Sequence, residues 1–196
     1  MKILAELIRI RQICCDPSLC FEDYRGGSAK KSACIELIQS AIEGEHKILV
    51  FSQFTSMLAL LEQEQQALGI AHYKIIGETP KAERLRLVNT FNQDKTPVFL
   101  ISLKAGGTGL NLTGADMVIH YDPWWNLAIQ NQATDRAHRI GQTKVVTVYK
   151  MIMKDSIEER IMTMQNTKKN LSDEILSGEM KQISQMNKEE LLDLLK

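Results

Sequence analysis

From residue 47 onward, short runs of aliphatic and β-branched residues alternate with longer amphipathic segments. Continuous apolar runs are typical of strands buried on both faces, and the amphipathic segments are typical of helices that cover those faces. The pattern predicts strands at 47–52, 73–76, 98–102, 117–121 and 145–151, and helices near 55–68, 81–92 and 127–138. The predicted fold class is therefore an α/β domain with a mainly parallel central sheet flanked by helices.

Helical segments are also predicted before and after this core. We expect a helical lead-in at 1–45 with a loop at 16–28, the α/β core at 46–152, and a C-terminal helical extension at 153–196. Within the extension, helices are expected near 156–169 and 188–195. For the second core helix, Thr79 is the predicted N-cap, with Pro80 at the first helical position.

Charge and cysteine content limit the kinds of site that are expected. Lys plus Arg and Asp plus Glu both number 24, so any site for a polyanion has to be local. The cysteines, Cys14, Cys15, Cys20 and Cys34, lack the spacing of a zinc site, and we expect reduced thiols and no metal site. Without a basic leader or a membrane-spanning apolar run, we expect an intracellular protein with no membrane partner, cytoplasmic, nucleoid-associated or nuclear.

Three polar residues lie at regular intervals toward the end of the third predicted core helix. Gln132, Arg136 and Arg139 stand at positions i, i+4 and i+7, which share one face of a helix. Two guanidinium groups that point the same way suit a phosphoryl group, whose charge spreads over three oxygens. This hypothesis places both arginines at an open, solvent-facing edge beyond the strand ends. The alternative is a solvated helix face on which Asp135 pairs with Arg139, a contact worth about 0.3–0.5 kcal/mol.

Three glycines, Gly106, Gly107 and Gly109, follow the predicted strand at 98–102. Glycine lets the backbone approach a ligand closely and present its amides to a phosphate, although such a turn also serves as a plain connection. The segment is not a Walker P-loop, because Lys104 precedes the glycines. A dinucleotide-binding domain is disfavoured, because in that fold the glycines follow the first strand.

Asp122 follows the predicted strand at 117–121, where a magnesium-binding carboxylate can stand. Without a P-loop that role is disfavoured, and a turn with Pro123 is the better account. The neighbouring Trp124 and Trp125 either pack in the core and cleft wall or stack on bases. Packing is favoured because of their large apolar surface.

Taken in order, these segments resemble the second RecA-like lobe of the SWI/SNF-type ATPases, a chromatin-remodelling and DNA-translocating branch of superfamily-two helicases. Residues 47–54 resemble the fourth helicase motif, 102–111 the fifth, 122–126 the Asp-Pro-Trp-Trp-Asn signature and 132–142 the sixth. Residues 11–17 and 156–161 resemble the segments that flank this lobe. The departures from the family pattern are small: Gly114 and Met117 vary a strand entry, and Leu127 stands where a proline is common. None of these departures removes a charged group from the motifs.

The resemblance implies a RecA-like lobe of a two-lobe, ATP-driven translocase on double-stranded DNA. Arg136 and Arg139 would be arginine fingers, which contribute roughly 10³–10⁵ in turnover, toward ATP held with Mg²⁺ mainly by the first lobe. The implied nucleotide-binding residues are Gln132, Gly107 and Gly109, and the implied DNA-binding residues are Ser102, Lys104, Gly106, Thr108 and Gln53. The implied partners are double-stranded DNA and the N-terminal RecA-like lobe of the same protein.

The absence of a Walker lysine in this chain bears on its activity. We expect a DNA-dependent ATPase only in the two-lobe protein, and no ATP hydrolysis by this chain alone. The alternative is a non-catalytic RecA-like module that binds DNA or acts as a scaffold. The intact set of Gln132, Arg136 and Arg139 disfavours this alternative.

Overall fold

The computed structural model describes residues 2–106, 109–139 and 142–174. Its strands are β1 (Ile48–Ser52), β2 (His72–Ile75), β3 (Val98–Ser102), β4 (Met117–His120) and β5 (Thr147–Lys150). Its helices are α1 (Lys2–Cys15), α2 (Ala29–Glu43), α3 (Thr55–Ala67), α4 (Lys81–Gln93), α5 (Leu103–Gly106), α6 (Leu127–Thr134) and α7 (Ile157–Glu174), with a 3₁₀ turn at Pro17–Leu19.

The five strands form one parallel sheet in the order β2-β3-β1-β4-β5. The central strand β1 places Ile48 opposite Val98 of β3 and opposite Met117 of β4. All five strands lie within two residues of their predicted ends. The predicted α/β fold with a parallel sheet is confirmed.

The sheet separates two layers of helices. Along β1, Leu49 and Phe51 belong to the core shared with α4, α5 and α6, whereas Ile48 and Val50 belong to the core shared with α2 and α3. Every residue of β1, β3 and β4 is buried, because these strands are covered on both faces. In contrast, β5 is an edge strand and all of its residues are exposed.

Helices α1 and α7 pack together beside this layered core. Leu7 of α1, Ile157 of α7 and Trp125 share one apolar cluster. A buried ion pair joins α2 to α7, with 2.6 Å between Lys30 Nζ and Glu158 Oε2. Helices α1 and α2 of the predicted lead-in and α7 of the predicted extension therefore pack on the lobe, while the domain boundaries stay predictions.

The start of α4 differs from the prediction. Pro80, not Thr79, is the N-cap residue, with φ −58° and ψ 146°. The Thr79 hydroxyl instead accepts a hydrogen bond from Ile76 N at 3.1 Å, in the turn before the helix. The prediction was wrong because a threonine hydroxyl can satisfy either the helix start or the preceding turn, and the local pattern does not decide between them.

Helix α7 begins one residue after the predicted start and continues to Glu174, and the predicted helix at 188–195 lies outside the described residues. Over the described ranges, no helix has both the length and the apolarity needed to cross a bilayer. The same part of the chain contains no cluster of three metal-ligating side chains. All four cysteines are free, and Cys15 and Cys34 are buried.

Candidate functional site

The carboxyl edge of the sheet has a topological switch point between β1 and β4. The chain leaves β1 toward β2 on one side and leaves β4 toward β5 on the other. In open parallel α/β sheets, ligands bind in the crevice that forms at such a point. Ser52 ends β1 at this crevice with Gln53 after it, and Asp122 lies just beyond β4.

Arg11 of α1 fills this crevice. It is only 1% exposed, its Nη1 donates to Gln53 Oε1 at 3.0 Å, and its Nη2 donates to Pro123 O. Its guanidinium lies 5.7 Å from the ring centroid of Phe54 and 5.0 Å from that of Trp125, and such cation–π contacts stabilise a desolvated cation by about 1–2 kcal/mol. The chain itself therefore occupies the position where an α/β sheet commonly binds its ligand.

Asp122 is the anionic partner in the crevice. Its Oδ1 accepts from Ser52 Oγ at 2.5 Å, and Gln53 N lies 3.2 and 3.3 Å from the two carboxylate oxygens. Arg11 Nη2 lies 3.8 Å from Asp122 Oδ2. Burial raises the pKa of Asp122, and the charge of Arg11 and the Ser52 hydroxyl act against this rise. Asp122 thus anchors the two strand ends, a role that the predicted turn with Pro123 did not include.

The pairing of Arg11 with Asp122 was missed by sequence reasoning. The available signal was a cation on the buried face of α1, because Arg11 stands four positions after the buried Leu7 and four before the buried Cys15. Arginine is almost never fully buried unless it is paired, so this position indicates a partner. The partner lies far along the chain, and no local pattern identifies it.

Helix α6 is shorter than predicted, which changes the arrangement of the arginines. It ends at Thr134, and beyond it Arg136 N bonds to Ala133 O at 3.2 Å, the i to i−3 spacing of a tight turn. Gln132, Arg136 and Arg139 therefore do not share one helix face. The prediction of a continuous helix to residue 138 was wrong.

The two arginines have different surroundings. Arg136 is only 2% exposed, its carbonyl accepts from Leu112 N at 3.0 Å, and its Nε has no hydrogen-bond partner among the described residues. Arg139 is exposed. Burial, and then the charge of Arg139, lowers the pKa of Arg136. The expectation of solvent exposure is correct for Arg139 and wrong for Arg136, because the backbone bond from Leu112 holds residue 136 against the core.

The glycine-rich segment begins directly after β3. Ser102 is buried and its hydroxyl accepts from Ala105 N at 3.3 Å, whereas Lys104 is exposed. Gly109 has φ +69°, a left-handed conformation that favours glycine. Gly106 ends α5, and the predicted site residues Gly107 and Thr108 lie outside the described residues.

The remaining predicted site residues are two glutamines. Gln132 is exposed on α6. Gln53 is half-buried, and its Oε1 is held by Arg11. These placements do not test contact with a nucleotide or with DNA, so the assigned roles stay predictions.

The two tryptophans connect the start of α6 to other helices. Trp125 is 9% exposed and shares an apolar cluster with Leu7, in agreement with the packing alternative. Trp124 N donates to Gln130 Oε1 at 3.2 Å, and Trp124 O accepts from Gln165 Nε2 of α7. The segment between β4 and α6 is therefore fixed from both sides.

Gln142 was not among the predicted site residues, although it belongs to the sixth motif. Its Nε2 lies 2.7 Å from Ala115 O, 3.1 Å from Thr113 O and 3.3 Å from Ala137 O. It ties the chain after the arginines to the loop before β4. Its place in the motif was the signal that could have identified it.

Comparison with known proteins first gives the class. The family model described as helicase conserved C-terminal domain matches residues 29–141. Together with the parallel sheet, this match places the chain in the class of C-terminal, RecA-like helicase domains.

Relatives and a solved structure then give the branch. The chain is 42% identical over 193 residues to an uncharacterized ATP-dependent helicase of Mycoplasma pneumoniae, covering 98% of this chain and 19% of that protein. It is 40% identical over 198 residues to the putative ATP-dependent helicase/translocase YwqA of Bacillus subtilis, covering 98% of this chain and 21% of that protein. The chain thus spans about a fifth of the length of these curated relatives.

The Sulfolobus solfataricus SWI2/SNF2 ATPase core, solved in complex with double-stranded DNA, is similar in structure. Its TM-score is 0.77 at 32% identity, and the match covers 98% of this chain and 41% of that chain. The chain belongs to the helicase C-terminal domain family, in its SWI/SNF-type branch.

Proposed function

We propose that this chain is the second lobe of an ATP-driven, double-stranded DNA translocase of the SWI/SNF type. The observation that carries the proposal is the pair of Arg136 and Arg139, one desolvated and one exposed, just beyond the end of α6. The names of the relatives support ATP use, and the Sulfolobus complex supports DNA as the partner.

The charge and the hydrogen-bond donors of the two guanidinium groups suit a phosphate. Arg136 Nε is a buried donor without a partner in the described part of the chain, and Arg139 is open to solvent. During transfer of the γ-phosphoryl group to water, negative charge spreads over three oxygens, and fixed guanidinium donors stabilise that charge. Desolvation strengthens this interaction, because less water screens it.

ATP and Mg²⁺ are proposed to bind mainly to the first lobe. The switch-point crevice of this lobe is filled by Arg11 and Asp122, which leaves the nucleotide to be held from the other side. Asp122 is engaged with Ser52, and the described residues contain no cluster of three metal-ligating side chains. Mg²⁺ held by that lobe would supply positive charge that neutralises the phosphates.

Contact with the DNA backbone is proposed for the loop after β3. Lys104 is exposed there, and its ammonium is a point charge suited to a phosphate. Gly106 has no side chain and allows the backbone to approach a DNA strand closely. The proposed DNA-binding set also includes Thr108, Ser102 and Gln53. Ser102 is buried and Gln53 is half-buried, so both lie beneath the surface that would contact DNA.

The proposal is tested by Arg139→Ala in the two-lobe protein that carries this chain. Because Arg139 is exposed, thermal stability is expected to stay unchanged, while DNA-stimulated ATP turnover falls by roughly 10³–10⁵. The matched control is Arg25→Ala, which removes an exposed arginine from the loop before α2 and should keep full turnover. Near-normal turnover of Arg139→Ala would contradict the finger assignment.

Assays of the isolated chain test the division of labour between the lobes. We expect no ATP hydrolysis above background, because this sequence has no Walker lysine. Magnesium-dependent hydrolysis by the purified chain would contradict the two-lobe proposal. DNA binding without ATP turnover in the two-lobe protein would instead support the alternative of a non-catalytic module.

A further inference from the structure

His120 makes a contact between the sheet and the end of α6. It is the last residue of β4 and only 1% exposed, and its Nε2 lies 2.9 Å from Thr134 Oγ1. Thr134 is the last residue of α6 and stands two positions before Arg136. A side chain of the sheet thus holds the helix at the point where the chain turns toward the arginines.

The hydrogen-bond directions in this contact follow from its neighbours. The Thr134 hydroxyl donates to Gln130 O at 3.3 Å, so its oxygen is left to accept from the imidazole. Nε2 of His120 therefore carries the proton, and Nδ1, which has no partner in the described residues, is the unprotonated nitrogen. Burial, and then the charge of Lys150, lowers the pKa of His120 to about 4, so the ring is neutral at neutral pH.

The imidazole itself is held firmly in the sheet. Its ring stacks on the fully buried Phe51 of β1, with 5.6 Å between centroids and 22° between planes. Its backbone oxygen accepts from Met151 N at 2.9 Å. The Nε2–H group of His120, which donates to Thr134, therefore has a fixed position and a fixed direction.

We propose that His120 and Thr134 are a positioning pair, which fixes the end of α6 and thereby the placement of Arg136 and Arg139 toward the phosphate. This inference rests on the proposed function. The pair touches no substrate, and it acts by keeping the arginines in a geometry suited to the transferring phosphoryl group. Misplacement of a catalytic group by about 1 Å can cost roughly 100-fold in rate.

The test compares Thr134→Val with Thr134→Ser in the two-lobe protein. Valine keeps the shape but removes the acceptor, whereas serine keeps the hydroxyl. For Thr134→Val we expect kcat for DNA-stimulated ATP hydrolysis to fall by roughly 10- to 100-fold. The KM for ATP and the affinity for DNA should stay unchanged, and Thr134→Ser should restore kcat.

A matched control is Thr90→Val in α4. The Thr90 hydroxyl makes the same kind of bond to the carbonyl four residues earlier, at 2.9 Å from Arg86 O. It lies on a helix that carries none of the proposed arginines, so kcat should stay at the parent value. An equal fall of kcat in Thr90→Val and Thr134→Val would overturn the inference.

Thr134→Val leaves the buried His120 N–H without an acceptor and can destabilise the chain. The double variant His120→Phe with Thr134→Val removes donor and acceptor together, which costs much less. It should fold and show the same fall in kcat. Unchanged kcat in this folded double variant would overturn the inference, as would parallel changes in kcat, the KM for ATP and DNA affinity.

Arg139→Ala in the same assay separates the two proposals. If Arg139→Ala keeps its turnover, the proposed function fails, and the inference fails with it. If Arg139→Ala loses turnover while Thr134→Val keeps it, only the positioning role is wrong. Loss of turnover in both variants, with recovery in Thr134→Ser, supports both proposals.

Discussion

The hydrogen bonding of buried polar groups differs between the amino and the carboxyl edge of the sheet. At the amino edge, Asp116 lies just before β4 and contacts Lys47 N at 3.0 Å, Lys144 Nζ at 3.0 Å and His46 Nδ1 at 3.1 Å. At the carboxyl edge and the helices beside it, several buried side-chain atoms have no hydrogen-bond partner within the described ranges, namely Arg11 Nε, Gln53 Nε2, His120 Nδ1, Trp125 Nε1, Gln130 Nε2, Arg136 Nε and Gln165 Oε1. Among the described residues, Gln65 of α3 is the exception outside this region.

This difference separates stability from function. Buried polar groups in folded proteins are nearly always hydrogen-bonded, and the exceptions are typical of functional or strained sites. We therefore expect changes at the amino edge to lower the free energy of unfolding and to leave turnover intact. Changes at the carboxyl edge should lower turnover and leave the free energy of unfolding nearly unchanged. The exception is the pair of Arg11 and Asp122, whose charges compensate each other.

The largest expected effect comes from Arg136→Met. Burial and the neighbouring Arg139 disfavour the charged form of Arg136, and methionine keeps an apolar stem in its place. ATP turnover of the two-lobe protein should fall by roughly 10³-fold or more. The free energy of unfolding of the chain, measured in urea, should stay within about 1 kcal/mol of the parent value. A large loss of stability would remove the contrast between the edges.

Arg11→Met tests the completed charge pair at the carboxyl edge. The change leaves Asp122 buried and without its cation, and should lower the free energy of unfolding by about 3–5 kcal/mol. Adding Asp122→Asn should recover part of this loss, because the uncompensated charge is then gone. Urea denaturation of the two variants measures both values. A small effect of Arg11→Met alone would show that the crevice is not held by this pair.

The pH dependence of stability reports on His120. Its pKa of about 4 in the folded chain is below the ordinary value of 6.5, so the unfolded chain binds a proton first as the pH falls. The free energy of unfolding is therefore unaffected by the titration of His120 above pH 6.5. It falls progressively between pH 6.5 and 4, by about 3 kcal/mol in all, because protonation of the unfolded chain stabilises it relative to the folded chain. His120→Phe should show a flatter profile over this window in denaturation experiments. Identical profiles would contradict a neutral, buried imidazole.

Asp116→Asn is expected to have the smallest effect. Burial raises the pKa of Asp116, but hydrogen bonds from Lys144, His46 and the Lys47 amide outweigh it and hold the pKa below 3.8. The variant should lose about 2 kcal/mol of unfolding free energy at pH 7 and keep full turnover.

The stabilising contribution of Asp116 is present above the unfolded pKa, near 3.8, and is lost as the pH falls through the lower folded value. The difference between Asp116→Asn and the parent should therefore shrink below pH 4. A loss of turnover in this variant would contradict the expectation that changes at the amino edge affect stability alone.

The strands could be predicted from sequence because burial on both faces leaves continuous apolar runs, as in Val98–Ser102. The end of α6 could not, because the hydrogen bond that places Arg136 comes from Leu112, in a loop with no periodic pattern. Burial of Arg136 was missed for the same reason. Exposure of Arg139 was predicted correctly, since it follows from a polar residue beyond the last apolar positions of a helix.

The Arg11 crevice also has a consequence for the order of folding. The bond from Arg11 to Pro123 joins positions 112 residues apart, and its acceptor lies beyond β4. Contacts of such long separation form slowly, because the loop between them must first be closed. We therefore expect helix α1 to dock after the central strands have paired, with its buried face open to water until then. If completion of the switch point is a late event, variants of Arg11 should alter the final folding phase more than the first, which stopped-flow refolding measures.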